Sequence, residues 1–207
     1  MIIGVSGGSG AGKSTTSRKL AELLPNSLLI VADIFMHKVS IDKEDEIMQK
    51  IGIKKEPDIF FYNYLHDSFE KITSWISIIR DDVELNIEKI INENPDKEYI
   101  IIDWCYIPLS NYNEKCDFKI CVKSDFECRK NRLTTRLINM NNSKYDKYNI
   151  PFSKWTPDAY DKRIKYTDLS VQGYNFDYYL YNTSSIEELN DKISSLAQKI
   201  IEINNNN

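Results

Sequence analysis

The sequence predicts an α/β protein built on a five-stranded parallel sheet with helices on both faces. Five short apolar segments alternate with longer segments of helical periodicity, which is the pattern of parallel strands joined by crossover helices. Five of the seven glycines lie between Gly4 and Gly12, where the first predicted strand meets the first predicted helix. A chain of 207 residues is long enough for one such domain, which we expect to span residues 1–203.

The predicted strands are short, and several are apolar throughout, as expected for strands buried on both faces of a sheet. They cover residues 2–5, 28–31, 99–103, 118–122 and 178–182. The predicted helices cover residues 14–24, 34–50, 59–77, 82–92, 125–140, 160–169 and 186–201. The low-complexity tail 204–207 is expected to be disordered. Since parallel strands end at the same edge of a sheet, we expect ligands to bind at that edge.

The glycine-rich segment matches a phosphate-binding loop. Gly7, Gly12, Lys13 and Ser14 fit the pattern G-x-x-x-x-G-K-[ST], and a predicted strand and helix flank them as the pattern requires. Such a loop curls so that its backbone N–H groups point at a phosphate, which favours residues without a Cβ. A glycine-rich turn is the alternative, but it leaves Lys13 followed by Ser14 unexplained. The residues expected to hold ATP are Gly8, Ser9, Gly10, Ala11, Gly12, Lys13, Ser14 and Thr15.

Four side chains at the predicted sheet edge are candidates for catalysis or metal binding. Lys13 would supply positive charge to the β and γ phosphates, and the Ser14 hydroxyl would ligate Mg²⁺. Asp103 ends an apolar strand and could hold the same metal ion opposite Ser14, unless it merely ends the strand. Asp33 follows the second strand and could accept the proton of an attacking hydroxyl or orient that hydroxyl. Its alternative role is the N-cap of the next helix.

A basic helix is predicted within a lid segment over residues 125–165. Arg129, Arg132 and Arg136 are spaced three and four apart, so they share one helix face. Arginines that reach a triphosphate neutralise the transferring phosphoryl group, and we assign this catalytic role to Arg132 and Arg136. A solvated basic face is the alternative. Two weaker candidates for the same pocket are Arg163 and Lys165.

Composition excludes several classes of function. Lysine and arginine total 27 against 31 acidic residues, for a net charge of −4, so nucleic acid is not an expected partner. The four cysteines have no C-x-x-C spacing, and with two histidines a zinc site is not expected. We expect reduced, mostly buried thiols in a cytoplasmic protein without a signal peptide or membrane span. A monomer or small homo-oligomer is expected.

These residues together resemble the P-loop kinases of nucleosides, nucleotides and related small molecules. The loop is similar to that of uridine kinases, as is Asp33-Ile34-Phe35 followed by Lys38. The other matching segments are similar to dephospho-CoA kinases. They are Ala32-Asp33 with His37-Lys38-Val39, Ile102-Asp103 with Ile107-Pro108-Leu109, the arginines 129, 132 and 136, and Arg163-Ile164 with residues 176–183.

The resemblance implies an enzyme that transfers the γ-phosphoryl group of Mg²⁺·ATP to a hydroxyl of a small molecule. Dephospho-CoA is the first expected acceptor, and uridine or another nucleoside is the second. The resemblance also implies an acceptor-binding region over residues 34–96, and it places the turn after Asn182 beside the adenine. Two other functions stay open: a regulatory NTPase without an acceptor, and a kinase-like protein that binds nucleotide without catalysis.

Overall fold

The computed structural model describes residues 1–54, 65–141, 157–183 and 185–206. Its sheet has five parallel strands in the order β2-β3-β1-β4-β5. The strands are β1 (Ile2–Ser6), β2 (Ser27–Val31), β3 (Tyr99–Asp103), β4 (Phe118–Lys123) and β5 (Tyr178–Tyr181). The predicted five-stranded parallel sheet is therefore confirmed, with strand ends that differ from the prediction by at most one residue.

Helices cover both faces of this sheet, as predicted. Among the described residues they are α1 (Lys13–Leu23), α2 (Ala32–Asp42), α3 (Glu44–Ile51), α4 (Phe69–Glu93), α5 (Tyr112–Lys115), α6 (Phe126–Asn141), α7 (Pro157–Leu169) and α8 (Ile186–Asn205). A short 3₁₀ helix covers Ile107–Leu109. Helices α1 and α8 contribute to the apolar core on one face, and α2, α3 and α4 contribute to the core on the other.

The second helix is divided where one helix is predicted. The segment 34–50 forms α2 and α3, and the backbone leaves the helical region at Lys43 between them. The Lys43 ammonium group pairs with Asp82 of α4. This break lets both short helices contact the long α4.

One long helix replaces two predicted helices. The predicted helices over 59–77 and 82–92 are wrong as a pair, because α4 runs without interruption through the charged residues 80–82. Val83 continues the buried stripe of Ile72, Ile76 and Ile79, so the charged residues occupy the solvent side of a helix that contains no glycine or proline. Ser68 caps α4 by accepting a hydrogen bond from the Lys71 N–H at 3.2 Å. The part of the prediction over 59–64 lies outside the described residues.

The C-terminal helix is longer than predicted. It continues to Asn205, so disorder from residue 204 onward is corrected at 204 and 205. The Asn204 amide donates hydrogen bonds to the Glu98 carboxylate at 3.1 Å and to the Tyr99 hydroxyl at 3.3 Å. These contacts outweigh the polar composition on which the prediction rested. Among the described helices, none is both long and apolar enough to cross a membrane.

All four cysteines are free, as expected, and three of them are buried. Burial raises the pKa of Cys105 and Cys116 to about 12 and that of Cys121 to about 11, from an ordinary value of 9.0. The pKa of each buried thiol is higher in the folded protein than in the unfolded chain. Its contribution to the free energy of unfolding is therefore complete below the pKa of the unfolded chain and is lost as pH rises through the pKa of the folded protein.

We therefore expect the free energy of unfolding to fall as pH rises from about 9 towards 12. Each buried thiol contributes up to about 1.4 kcal/mol per pH unit. Urea unfolding at several pH values in a reducing buffer measures this slope. Cys116→Ala is expected to reduce it, whereas a slope identical to that of the wild type would contradict the assignment.

Candidate active site

The glycine-rich loop is confirmed as the connection between β1 and α1. Gly7 and Gly12 adopt φ values of +139° and +109°, which residues with a Cβ rarely adopt. A Cβ at Gly7 would collide with the Val122 carbonyl oxygen, and one at Gly12 would collide with the Asn182 amide nitrogen. The neighbouring strand ends therefore hold the loop so closely that only glycine fits at these positions.

Lys13, Ser14 and Thr15 form the first turn of α1. Gly12 is the N-cap of this helix, and its carbonyl accepts the Thr15 and Thr16 N–H groups. The Lys13 ammonium nitrogen lies 3.5 Å from the Gly8 carbonyl oxygen and so folds back over the loop. The helix N-terminus and this ammonium group both place positive charge at the same edge of the sheet.

Arg132 and Asn182 meet on the outer side of the loop. The Arg132 guanidinium donates to the Gly10 carbonyl at 3.2 Å and to the Asn182 side-chain oxygen at 3.3 Å. The Asn182 amide in turn donates to the Ala11 carbonyl at 2.7 Å. Two of the predicted site residues are thus brought together on the loop, while Arg136 lies exposed further along α6.

Arg129 does not share the setting of these two arginines. It is 4% exposed, and its guanidinium binds Asp168 of α7. The spacing correctly predicts that the three arginines lie on one helix, but Arg129, which has no assigned catalytic role, binds α7 instead. Packing of α7 against α6 separates it from the other two.

Helix α7 contacts the loop through two further side chains. Arg163 donates from Nε to the Ser9 hydroxyl at 3.0 Å, and the Thr167 hydroxyl accepts the Ser9 N–H at 2.9 Å. From the sequence, Arg163 is only a weak candidate for the triphosphate pocket, and Thr167 is not predicted to take part. The four-residue spacing that places both on one face of α7 is the signal that could have linked them.

The two candidate carboxylates end neighbouring strands, as predicted. Asp103 pairs in register with Val5 of β1 and Val31 of β2 and is 2% exposed. Asp33 lies in the first turn of α2, which begins one residue earlier, at Ala32. The alternative role of Asp33 as N-cap is wrong, because Val31 occupies that position.

A small pocket, with a cavity volume of about 10 Å³, lies beside these residues. Its lining consists of Asp33, Met36, His37, His66, Trp75, Cys105, Tyr106 and Arg163. The Asp33 carboxylate and Arg163, which contacts loop residue Ser9, therefore line the same pocket. Its other walls are largely aromatic.

The pKa of the Cys105 thiol depends on the charged groups around this pocket. Burial raises its pKa to about 12, and the Asp33 and Asp103 carboxylates raise it as well. Lys13 and Arg163 act in the opposite direction. Two carboxylates and two cations from four separate segments therefore act on one buried group, so they converge on a small volume.

An ion pair connects α7 to the segment that precedes α4. Asp67 accepts from Lys162 at 3.0 Å and from Lys71 at 3.1 Å. Burial alone would raise the pKa of Asp67, but the hydrogen bonds from these two lysines bring it below its usual value. His66, which precedes Asp67, and Arg163, which follows Lys162, both line the pocket. This ion pair therefore lies next to the pocket.

Comparisons with known proteins agree with this geometry, although no protein-family model matches the chain. A dephospho-CoA kinase of Fusobacterium nucleatum is 29% identical over 215 aligned positions, which cover 97% of this chain and 98% of that protein. A dephospho-CoA kinase of Borreliella burgdorferi is 27% identical over 153 positions, which cover 71% and 74%.

Solved structures show the same fold. The protein TT1252 of Thermus thermophilus aligns with a TM-score of 0.62 at 14% identity and covers 96% of this chain and 97% of its own. A dephospho-CoA kinase of Campylobacter jejuni aligns with a TM-score of 0.53 at 17% identity and covers 98% of both chains. The loop, the sheet order and these relatives together indicate an ATP-dependent small-molecule kinase with the P-loop kinase fold, and the chain is similar to dephospho-CoA kinases.

Proposed function

We propose that the protein transfers the γ-phosphoryl group of Mg²⁺·ATP to a hydroxyl of dephospho-CoA. The observation that carries this proposal is the similarity to the Fusobacterium nucleatum dephospho-CoA kinase over 97% of the chain. The alignment therefore also spans the region 34–96, where the acceptor is expected to bind. The Borreliella burgdorferi relative has the same name.

ATP is held by the loop and by the first turn of α1. The backbone of residues 8–15 binds the phosphates, and Lys13 compensates their negative charge. The contacts of Asn182 with the loop support its proposed position beside the adenine. Arg132 binds the same part of the loop, which supports a role in neutralising the transferring group; Arg136 is proposed to join it.

Magnesium is proposed to bind between Ser14 and Asp103. Among the described residues, no group of three or more His, Cys, Asp or Glu side chains could hold a metal ion by itself. A magnesium ion that enters with ATP takes most of its ligands from phosphate oxygens and water, so a hydroxyl and a buried carboxylate fit it. When bound, it would offset the negative charge of the phosphates.

Asp33 is proposed to act on the acceptor. As the acceptor oxygen forms its bond to the γ phosphorus, the bond from phosphorus to the β–γ bridging oxygen breaks and ADP leaves. The proton of the acceptor hydroxyl passes to the Asp33 carboxylate. The presence of both Asp33 and Arg163 in the lining of the pocket supports this role, because the arginine also contacts loop residue Ser9.

A single domain over residues 1–203 is proposed, with a lid over 125–165 and an acceptor region over 34–96. The contact of Lys162 with Asp67 supports this division, since it joins the end of the lid segment to the acceptor region. Uridine remains a second candidate acceptor, because the loop sequence is similar to that of uridine kinases.

The acceptor can be identified by supplying Mg²⁺·ATP with dephospho-CoA, uridine or a pantothenate-like compound and measuring ADP release and the phosphorylated product. We expect slow ATP consumption by the protein alone and a large stimulation by dephospho-CoA. Stimulation by uridine alone would favour the second candidate. Strong hydrolysis that no acceptor changes would contradict the kinase proposal and favour a regulatory NTPase.

Replacing Asp33 by Asn tests its role in proton transfer. Because the amide cannot accept the proton, kcat is expected to fall about 100-fold or more, while KM for ATP changes less than about twofold. Asp42→Asn is the matched control, since Asp42 is exposed at the far end of α2. An Asp33→Asn enzyme with nearly wild-type kcat would remove Asp33 from the mechanism.

Replacing Arg163 by Met tests its role beside the loop. Loss of the guanidinium is expected to lower kcat about 100-fold, because charge that develops during transfer loses a preorganised donor. The other weak candidate, Lys165, lies exposed on the same helix and does not line the pocket, so Lys165→Met is expected to change kcat less than about twofold. Equal effects of the two substitutions on kcat would mean that Arg163 acts only through general charge.

A further inference from the structure

We propose that the ion pair between Arg129 and Asp168 is a positioning element that holds the phosphate-binding loop in its ATP-binding shape. The proposal rests on the proposed function, because it concerns the same ATP site. The pair itself contacts the back of the loop, and its residues are outside the group expected to touch ATP.

The pair joins the two helices of the proposed lid. Both terminal nitrogens of Arg129 donate to the two carboxylate oxygens of Asp168, one of them at 2.7 Å. Arg129 also donates to the Ile164 carbonyl of α7 at 3.2 Å. The guanidinium is 4% exposed, whereas the Asp168 side chain is 47% exposed. A buried guanidinium with this bidentate partner has one orientation, which fixes α7 relative to α6.

The loop lies directly against this ion pair. A Cβ at Gly8 would collide with the Asp168 carboxylate and with a terminal nitrogen of Arg129. At Gly10, a Cβ would lie 3.0 Å from the Arg129 carbonyl oxygen and 3.1 Å from the Leu133 side chain. The loop therefore rests on the pair without space between them, and a shift of the pair must shift the loop.

The residue next to Asp168 extends this contact to the tip of the loop. Thr167 accepts the Ser9 N–H at 2.9 Å, and Arg163, one turn earlier, donates to the Ser9 hydroxyl at 3.0 Å. Both hydrogen bonds require α7 at its observed distance from the loop. Since Arg129 fixes α7 through Asp168 and Ile164, the pair positions Gly8 by direct contact and Ser9 through α7.

A second ion pair provides the control that the proposal needs. Lys130 and Asp161 join the same two helices at 2.9 Å, but both side chains are about half exposed, so this pair lacks a buried guanidinium. Their ion pair makes no hydrogen bond to the loop among those of the described residues. Removing Asp161 therefore tests whether any link between α6 and α7 would serve equally well.

The experiment measures ATP affinity by titration with a fluorescent ATP analogue, and KM for ATP and for the acceptor by steady-state kinetics. Asp168→Asn and Arg129→Lys are expected to weaken ATP binding about tenfold, because neither retains the bidentate charged contact. KM for the acceptor should change less than about twofold. Asp161→Asn should leave both quantities unchanged.

The double variant Arg129→Gln with Asp168→Asn separates positioning from stability. Asp168→Asn alone leaves a buried guanidinium unpaired, so the double variant is expected to recover melting temperature and part of the ATP affinity. A purely structural role would couple the two residues in melting temperature but leave the ATP affinity of every folded variant at the wild-type value. That result would overturn the proposal.

The two proposals fail in different ways. ATP binding weakened by Asp168→Asn, with no phosphorylation of dephospho-CoA by the wild type, would support the positioning role and contradict the acceptor. Phosphorylation of dephospho-CoA by the wild type, with ATP affinity unchanged in Asp168→Asn and Arg129→Lys, would overturn the positioning role and leave the acceptor intact.

Discussion

The close packing around the glycine-rich loop is the constraint on which the rest of the site depends. At Gly7 a carbonyl of β4 occupies the space that a Cβ would need, and at Gly12 the Asn182 amide occupies it. These contacts come from the strands on one side of β1, so the loop has its shape only when the sheet is assembled. The loop then determines where Lys13, Ser14 and the first turn of α1 lie.

The opposite side of the loop is held by helices α6 and α7 rather than by the sheet. Arg132 of α6 donates to Gly10, while Arg163 and Thr167 of α7 contact Ser9. The Gly10 carbonyl, the Ser9 hydroxyl and the Ser9 N–H therefore all have partners on these two helices.

The sheet edge brings opposite charges together around one buried side chain. Asp33, Asp103, Lys13 and Arg163 come from four parts of the chain, and all of them influence the buried Cys105 thiol. Charges interact more strongly in such a setting than in water, which is the physical basis for stabilising a transferring phosphoryl group. His37, His66, Trp75 and Tyr106 contribute the aromatic walls of the neighbouring pocket.

The sequence by itself determined the loop, the five strands and the edge at which Asp33 and Asp103 lie. Those features depend on local patterns: glycine and lysine spacing, short apolar segments, and the rule that parallel strands end at one edge. It did not determine that 69–93 is one helix, because three charged residues interrupt the apolar sequence without interrupting the buried stripe. Only the tertiary structure decided which arginines reach the loop. Arg129, Arg132 and Arg163 differ in their partners because α7 packs on α6, and helical spacing carries no information about a helix that comes later in the chain.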